Sequence, residues 1–133
     1  MDDFDELQRR MVEDALKSYS RTVVGHFMEP RNHGPMEDAD GEGVFNGPCG
    51  DTVWMWVKVR DGVVLGASFT TDGCGTSVAS GSMATVLAEG RTVEQARSMD
   101  SVELLEALDG LPPEKEHCAV LAVTALKKAL KGL

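Results

Sequence analysis

Between Thr52 and Phe69 the side chains alternate with a period of two. Val53, Met55, Val57 and Val59 share one face of an extended segment, while Trp54, Trp56 and Lys58 share the other. Asp61-Gly62 then supplies a turn, after which Val63, Leu65, Ala67 and Phe69 alternate again. This pattern predicts an antiparallel hairpin with an apolar face on each strand, joined by a third short strand around Val44 to Asn46. Trp54 and Trp56 admit two readings, a partner surface or a face covered by the N-terminal helix.

The rest of the chain has helical spacing. Phe4, Leu7, Met11 and Ala15 form one stripe, with Asp2 placed to cap it, and Val12, Leu16, Tyr19, Val23 and Phe27 form a second. The two stripes fit one helix or two broken near Ser18 to Ser20. Glu29-Pro30 ends the pattern, and Arg31 to Gly43 reads as a mobile surface loop. After Cys74, Ser77 to Glu89 is expected to be helical and to end at Gly90 in a left-handed cap. Thr92 with Gln95, and Asp100 with Glu103, have capping-box spacing for two short helices. A last helix, from about Cys118 to Lys131, has Lys127, Lys128 and Lys131 near its negative end. The expected fold class is α+β: a small three-stranded antiparallel sheet packed against a layer of helices, with any site at one exposed end.

A chain of 133 residues with 42% hydrophobic content buries one sizeable core, so one soluble domain is expected. Its formal charge of -9 disfavours nucleic acid and anionic membranes, both of which call for clustered Lys and Arg. The odd number of cysteines argues against disulfide staples and, with no signal-peptide or membrane-spanning pattern, for a reducing cytoplasmic setting.

Those cysteines are Cys49, Cys74 and Cys118, in the settings Gly47-Pro48-Cys49-Gly50-Asp51, Asp72-Gly73-Cys74-Gly75-Thr76 and Glu116-His117-Cys118-Ala119. Each falls at a junction: the turn entering the hairpin, the strand-to-helix connection, and the start of the final helix. Near a helix N-terminus the partial positive charge favours thiolate over thiol, which applies to Cys74 and Cys118. No Cys-x-x-Cys pair is present, so a zinc finger, a rubredoxin-like knuckle and a thioredoxin-like motif are all unmatched. On spacing and residue type alone, a metal or cluster site and three unrelated buried cysteines stay equally open.

These three segments, together with Leu111-Pro112-Pro113-Glu114-Lys115, resemble the signature of the IscU/NifU iron-sulfur scaffold family: Gly47 to Asp51, Thr71-Asp72-Gly73-Cys74-Gly75, and His117 to Ala122. Glu29-Pro30-Arg31-Asn32 resembles that family's early motif, and the likeness runs in order from about Tyr19 to Leu133. It implies a scaffold on which a [2Fe-2S] cluster is assembled from iron and from persulfide sulfur supplied by a cysteine desulfurase, then passed to apo iron-sulfur acceptor proteins. By the same resemblance Cys49, Cys74 and Cys118 match the cluster cysteines, Asp51 the aspartate, His117 the neighbouring histidine, and Cys118 the proposed persulfide acceptor. Leu111, Pro112, Pro113 and Lys115 match a segment recognised by a DnaK-type chaperone, with Glu114 standing where the family has valine.

Three thiolates leave one coordination position of a [2Fe-2S] unit unfilled, and Asp51 or His117 would complete it with a more exchangeable bond than a fourth cysteine. As a resting ligand Asp51 ranks above His117; its ordinary alternative is a turn carboxylate capping the hairpin entrance. Lys115 offers a positive charge beside the thiolates, whereas His26 and His33 belong to no site motif. Residues 1–18 are expected to be an acidic helical extension and 19–133 the scaffold domain, acting as a monomer or a homo-oligomer. The scaffold is a carrier rather than an enzyme. The competing reading is a zinc protein, structural or sulfur-accepting, that uses the same three cysteines plus Asp51 or His117. A thiol enzyme with His117 activating Cys118 is disfavoured, because neighbours at a helix start point in different directions.

Overall fold

The computed structural model describes residues 3–133; Asp2, the expected first cap, lies outside them. The elements in chain order are α1 (Asp3–Ala15), α2 (Arg21–Met28), β1 (Gly41–Asn46), β2 (Thr52–Arg60), β3 (Val63–Thr71), α3 (Gly75–Ala88), α4 (Val93–Arg97), α5 (Ser101–Ala107) and α6 (His117–Leu130). The N-terminal segment is therefore two helices, and the second stripe is divided between them: Val12 lies in α1, Leu16 and Tyr19 in the connection, and Val23 and Phe27 in α2. α1 ends at Ala15 in a turn over residues 16–18, and Ser20 opens the next helix: it is extended (φ -65°, ψ 161°) and its hydroxyl accepts from the N-H of Val23.

The strands form an antiparallel sheet in the order β1-β2-β3. Val53, Met55 and Val57 point into the core, each no more than 1% exposed. The expected alternation of Val63 and Leu65 with them fails. Lys58 pairs with Gly66 but Val59 pairs with Val64, so Leu65 is an extra residue in β3. One inserted residue reverses the phase of a strand, and accordingly Val64 is buried while Leu65 is 53% exposed.

β1 begins at Gly41, earlier than the pattern around Val44 suggested. Gly43 looked like loop composition but serves close packing, since a Cβ there would lie 2.3 Å from the carbonyl oxygen of Ala125 in α6. The segment expected to be a mobile loop is instead tethered between β3 and β2. Gly34 N-H donates to Phe69 O (2.8 Å), Asp40 N-H to Val57 O (2.8 Å), and Lys58 pairs with Asp38. Asn32, in a left-handed conformation (φ 57°), anchors its start by donating to Thr85 Oγ1 and Glu89 Oε1.

α3 and α6 cover the core face of the sheet and α2 packs on α3. Buried His26 is held there by Ser82, 2.7 Å from its Nδ1, and burial, with Arg31 second, lowers its pKa. Met55, Phe69, Leu104, Leu121 and Leu126 fill the center at 2% exposure or less. Trp54 and Trp56 lie half-buried on the opposite face of the sheet. α4 has a complete capping box between Thr92 and Gln95, but α5 has only half of one. Asp100 accepts from Glu103 N-H, while the Glu103 carboxylate turns to Arg91 instead. Gly90 adopts the expected left-handed conformation (φ 84°).

α1 stands apart in character: none of its residues is buried, and Phe4, Leu7 and Met11 are 70%, 57% and 61% exposed. Among the described residues, no helix is long and apolar enough to cross a membrane.

Candidate metal centre

Three junctions meet at one end of the sheet. The turn between β1 and β2 is closed by Gly47 N-H to Asp51 O (2.9 Å) and Gly50 N-H to Gly47 O (3.0 Å), with Gly50 in the left-handed region (φ 93°). Thr52 N-H donates to Asp72 Oδ1 at 2.7 Å and Thr71 Oγ1 to Thr52 O at 2.7 Å, fastening this turn to the end of β3. Asp72 thus takes the hairpin-entrance role considered for Asp51, whose carboxylate is turned toward α3 instead. Cys74 is the extended N-cap residue of α3. Cys118 is the second residue of α6, reached from Leu111 through a 3-10 turn over Pro113–Lys115.

Hydroxyl groups link the side chains. Thr76 Oγ1 lies 2.9 Å from Cys74 Sγ and 3.3 Å from Cys118 Sγ. Ser77 Oγ lies 3.5 Å from Cys118 Sγ and 3.3 Å from Asp51 Oδ2. Lys115 Nζ approaches Cys74 Sγ at 4.0 Å, and His117 Nε2 stands 3.7 Å from Cys118 Sγ. Asp51, Cys74, Cys118, His117 and Lys115 therefore share one neighbourhood. Cys49 is exposed on the turn two positions before Asp51 and, among the described residues, is not part of this hydrogen-bonded chain. The cysteines also differ in access, with Cys49 and Cys74 exposed and Cys118 buried at 1%.

The electrostatics favour an anion at Cys74. Burial pushes its thiol up, but the Thr76 hydroxyl, the N-H groups of Ser77 and Thr76, and Lys115 outweigh it, so the pKa is lowered. The expected effect of a helix start on a thiol is visible here. Among the described residues, no three His, Cys, Asp or Glu side chains stand close enough together to hold a metal ion in this conformation.

Thr76 and Ser77 were not singled out from sequence. The available signal was their position, two and three residues after a cysteine at a helix start, where hydroxyls reach neighbouring acceptors. Beside Cys74 lies a cleft of about 240 Å³, with Tyr19, Val23 and Phe27 on one wall and Cys74, Thr76 and Lys115 on the other. A larger shallow groove of about 810 Å³ around Arg97, Lys128 and Leu133 lies at the opposite end of α6. There Arg97 donates to the carbonyls of Leu130 and Leu133.

Residues 18–132 match the family described as NifU-like N terminal domain. An Archaeoglobus fulgidus protein named iron-sulfur cluster assembly scaffold protein IscU 1 is 44% identical over 113 residues, 84% of this chain and 74% of that protein. The Azotobacter vinelandii scaffold protein IscU is 40% identical, covering 86% and 92% of the two chains. Its Escherichia coli K12 counterpart is 37% identical, covering 85% and 91%. In three dimensions the chain superposes on the N-terminal NifU-like protein of Brucella abortus with a TM-score of 0.67, at 18% identity and covering 84% and 91% of the chains, a likeness of fold. A crystal structure of a hypothetical protein, 30% identical, gives 0.68 and covers 83% and 94%. The chain belongs to the NifU-like N-terminal domain family.

Proposed function

We propose that this protein is an iron-sulfur cluster assembly scaffold: it takes up iron and sulfur, holds a [2Fe-2S] cluster transiently, and releases it to acceptor proteins. The observation that carries the reading is the convergence of cysteine and aspartate donors from three junctions of the chain on two hydroxyls. Two thiol sulfurs and one carboxylate are linked through the hydroxyls of Thr76 and Ser77, and a third thiol stands two residues from that carboxylate on an exposed turn. A site that must give up its cargo benefits from soft thiolates for the iron and one harder, more exchangeable oxygen ligand.

In this reading Cys49, Cys74, Cys118 and Asp51 hold the cluster, while His117 stands beside Cys118 as an alternate donor. Sulfur arrives from a cysteine desulfurase as a persulfide. A thiolate of the scaffold attacks its terminal sulfur, the donor leaves as thiolate, and the new persulfide sits on the scaffold cysteine. Reduction to sulfide then takes two electrons from an external reductant. Cys118 is assigned the acceptor role, and its burial sets a condition on it: the sulfur has to be uncovered first. Lys115, near Cys74, offsets negative charge as the cluster forms. Leu111, Pro112, Pro113 and Lys115 are the proposed docking segment for a DnaK-type chaperone, and Pro113 in it is exposed.

The test is anaerobic reconstitution of metal-free protein with ferrous iron, cysteine and a desulfurase, measuring iron, acid-labile sulfide and zinc per chain. Iron and sulfide in equal amounts, with a visible absorption spectrum, support the scaffold. Tightly held zinc with no coloured species would replace it by the zinc reading. Asp51→Ala is expected to slow cluster release to an apo acceptor, and unchanged transfer kinetics would remove this carboxylate from the account of lability.

A further inference from the structure

The hydroxyls of α3 divide into two groups. Ser80 Oγ donates to Thr76 O at 2.7 Å and Thr85 Oγ1 to Ser82 O at 2.7 Å, satisfying themselves within the helix. Ser77 does not. It is 1% exposed, and its Oγ lies between Asp51 Oδ2 and Cys118 Sγ. A hydroxyl has one proton to donate. Asp51 Oδ2 and Cys118 Sγ are both acceptors within its reach, so this single proton serves only one of them at a time.

We propose that Ser77 is a positioning residue that latches the Asp51 carboxylate to the Cys118 sulfur and so keeps this thiol covered. The proposal rests on the reading of Asp51 and Cys118 as cluster ligands, and it assigns Ser77 control over when Cys118 becomes accessible. The latch joins three separate pieces of chain: the β1–β2 turn, the first turn of α3 and the start of α6. It is seated on Gly73, where an added Cβ would lie 2.6 Å from Ser77 Oγ and 2.8 Å from Asp51 Oδ2. When Asp51 swings away, the Ser77 proton is free for the Cys118 sulfur, and the tie between the turn and α6 is lost.

The test uses the reduced, metal-free full chain and the rate of maleimide labelling at each cysteine, resolved by peptide mass spectrometry. Ser77→Ala and Asp51→Ala are each expected to speed labelling of Cys118 about tenfold, the lower end of what loss of one hydrogen bond to a carboxylate produces. The double variant should be no faster than the faster single one, because both remove the same latch. Asp51→Asn keeps an acceptor oxygen for Ser77 and should label nearly as slowly as the parent. Exposed Cys49 serves as the internal reference. Unchanged Cys118 labelling in Asp51→Ala overturns the proposal, as does multiplication of the two effects in the double variant, or a rate in Asp51→Asn equal to that in Asp51→Ala. If Ser77→Ala disturbs the helix, Asp51→Ala and Asp51→Asn, which alter a turn residue, still decide the matter. No cluster is needed for this readout, so a failed latch and a failed reconstitution are separate results.

Discussion

Thr76→Val tests whether the thiolate character of Cys74 comes from the hydroxyl beside it. The substitution replaces an oxygen 2.9 Å from Cys74 Sγ by a methyl group of similar size. Thr76 is 4% exposed, so a side chain of the same shape keeps the local packing. A hydrogen bond to a charged acceptor contributes about 1.5–3 kcal/mol. Cys74 is exposed and water competes for it, so the retained effect is about 1 kcal/mol. That corresponds to about a fivefold loss of thiolate at a pH below the titration. The native pKa is lowered from the ordinary thiol value of 9.0. The stabilisation is therefore fully present above that value and is lost as pH falls through the lowered native pKa. Alkylation of Cys74 by iodoacetamide, followed across about pH 6 to about pH 10, should show a midpoint displaced upward in Thr76→Val. The stability gap between parent and variant should widen as pH rises through the same window. An unchanged midpoint would refute the reasoning and leave the backbone N-H groups and Lys115 as the source of the shift.

Two further outcomes follow from the geometry. Deleting the chain through Asp14 should change stability by less than about 0.5 kcal/mol, because α1 has no buried residue; a clearly lower melting temperature would mean that α1 packs on the body in solution. Gly73→Ala would push the Asp51 carboxylate and the Ser77 hydroxyl aside and should weaken cobalt(II) binding, followed by its visible absorption, about tenfold. Unaltered cobalt affinity would show that the placement of Asp51 does not matter to metal uptake.

The legible parts of the fold were those governed by local chemistry. Thr92 with Gln95 reads as a capping box because both halves lie within four residues, and they form it. Asp100 with Glu103 has the same spacing, yet Arg91, twelve positions before Glu103, competes for the carboxylate and wins. Leu65 could not be seen as an inserted residue because strand register depends on the partner strand, which the alternation of one strand does not reveal. Gly41 and Gly43 read as loop because their purpose, close approach of α6, exists only once the helix is in place.

At the site, Cys74 at the start of α3 and Cys118 at the start of α6 were placed correctly by the helix patterns flanking them. Their unequal burial was not readable. Cys118 sits one position after an exposed histidine, and only the packing of α6 against α3 decides that its sulfur faces inward. The roles of Asp51 and Asp72 were also beyond reach from sequence. Both flank a turn or loop entrance, and it is the tertiary contact with Ser77 that separates them.

Delivery is the property that separates a scaffold from a metal store. The most direct measurement loads the protein anaerobically, mixes it with an apo ferredoxin in the presence of an iron chelator, and follows iron and acid-labile sulfide in both proteins over time. A scaffold should transfer the two together in equal amounts, with the acceptor's absorption rising as that of the donor falls. Iron trapped by the chelator while sulfide stays behind or is lost, with no cluster appearing on the acceptor, would contradict the proposed function.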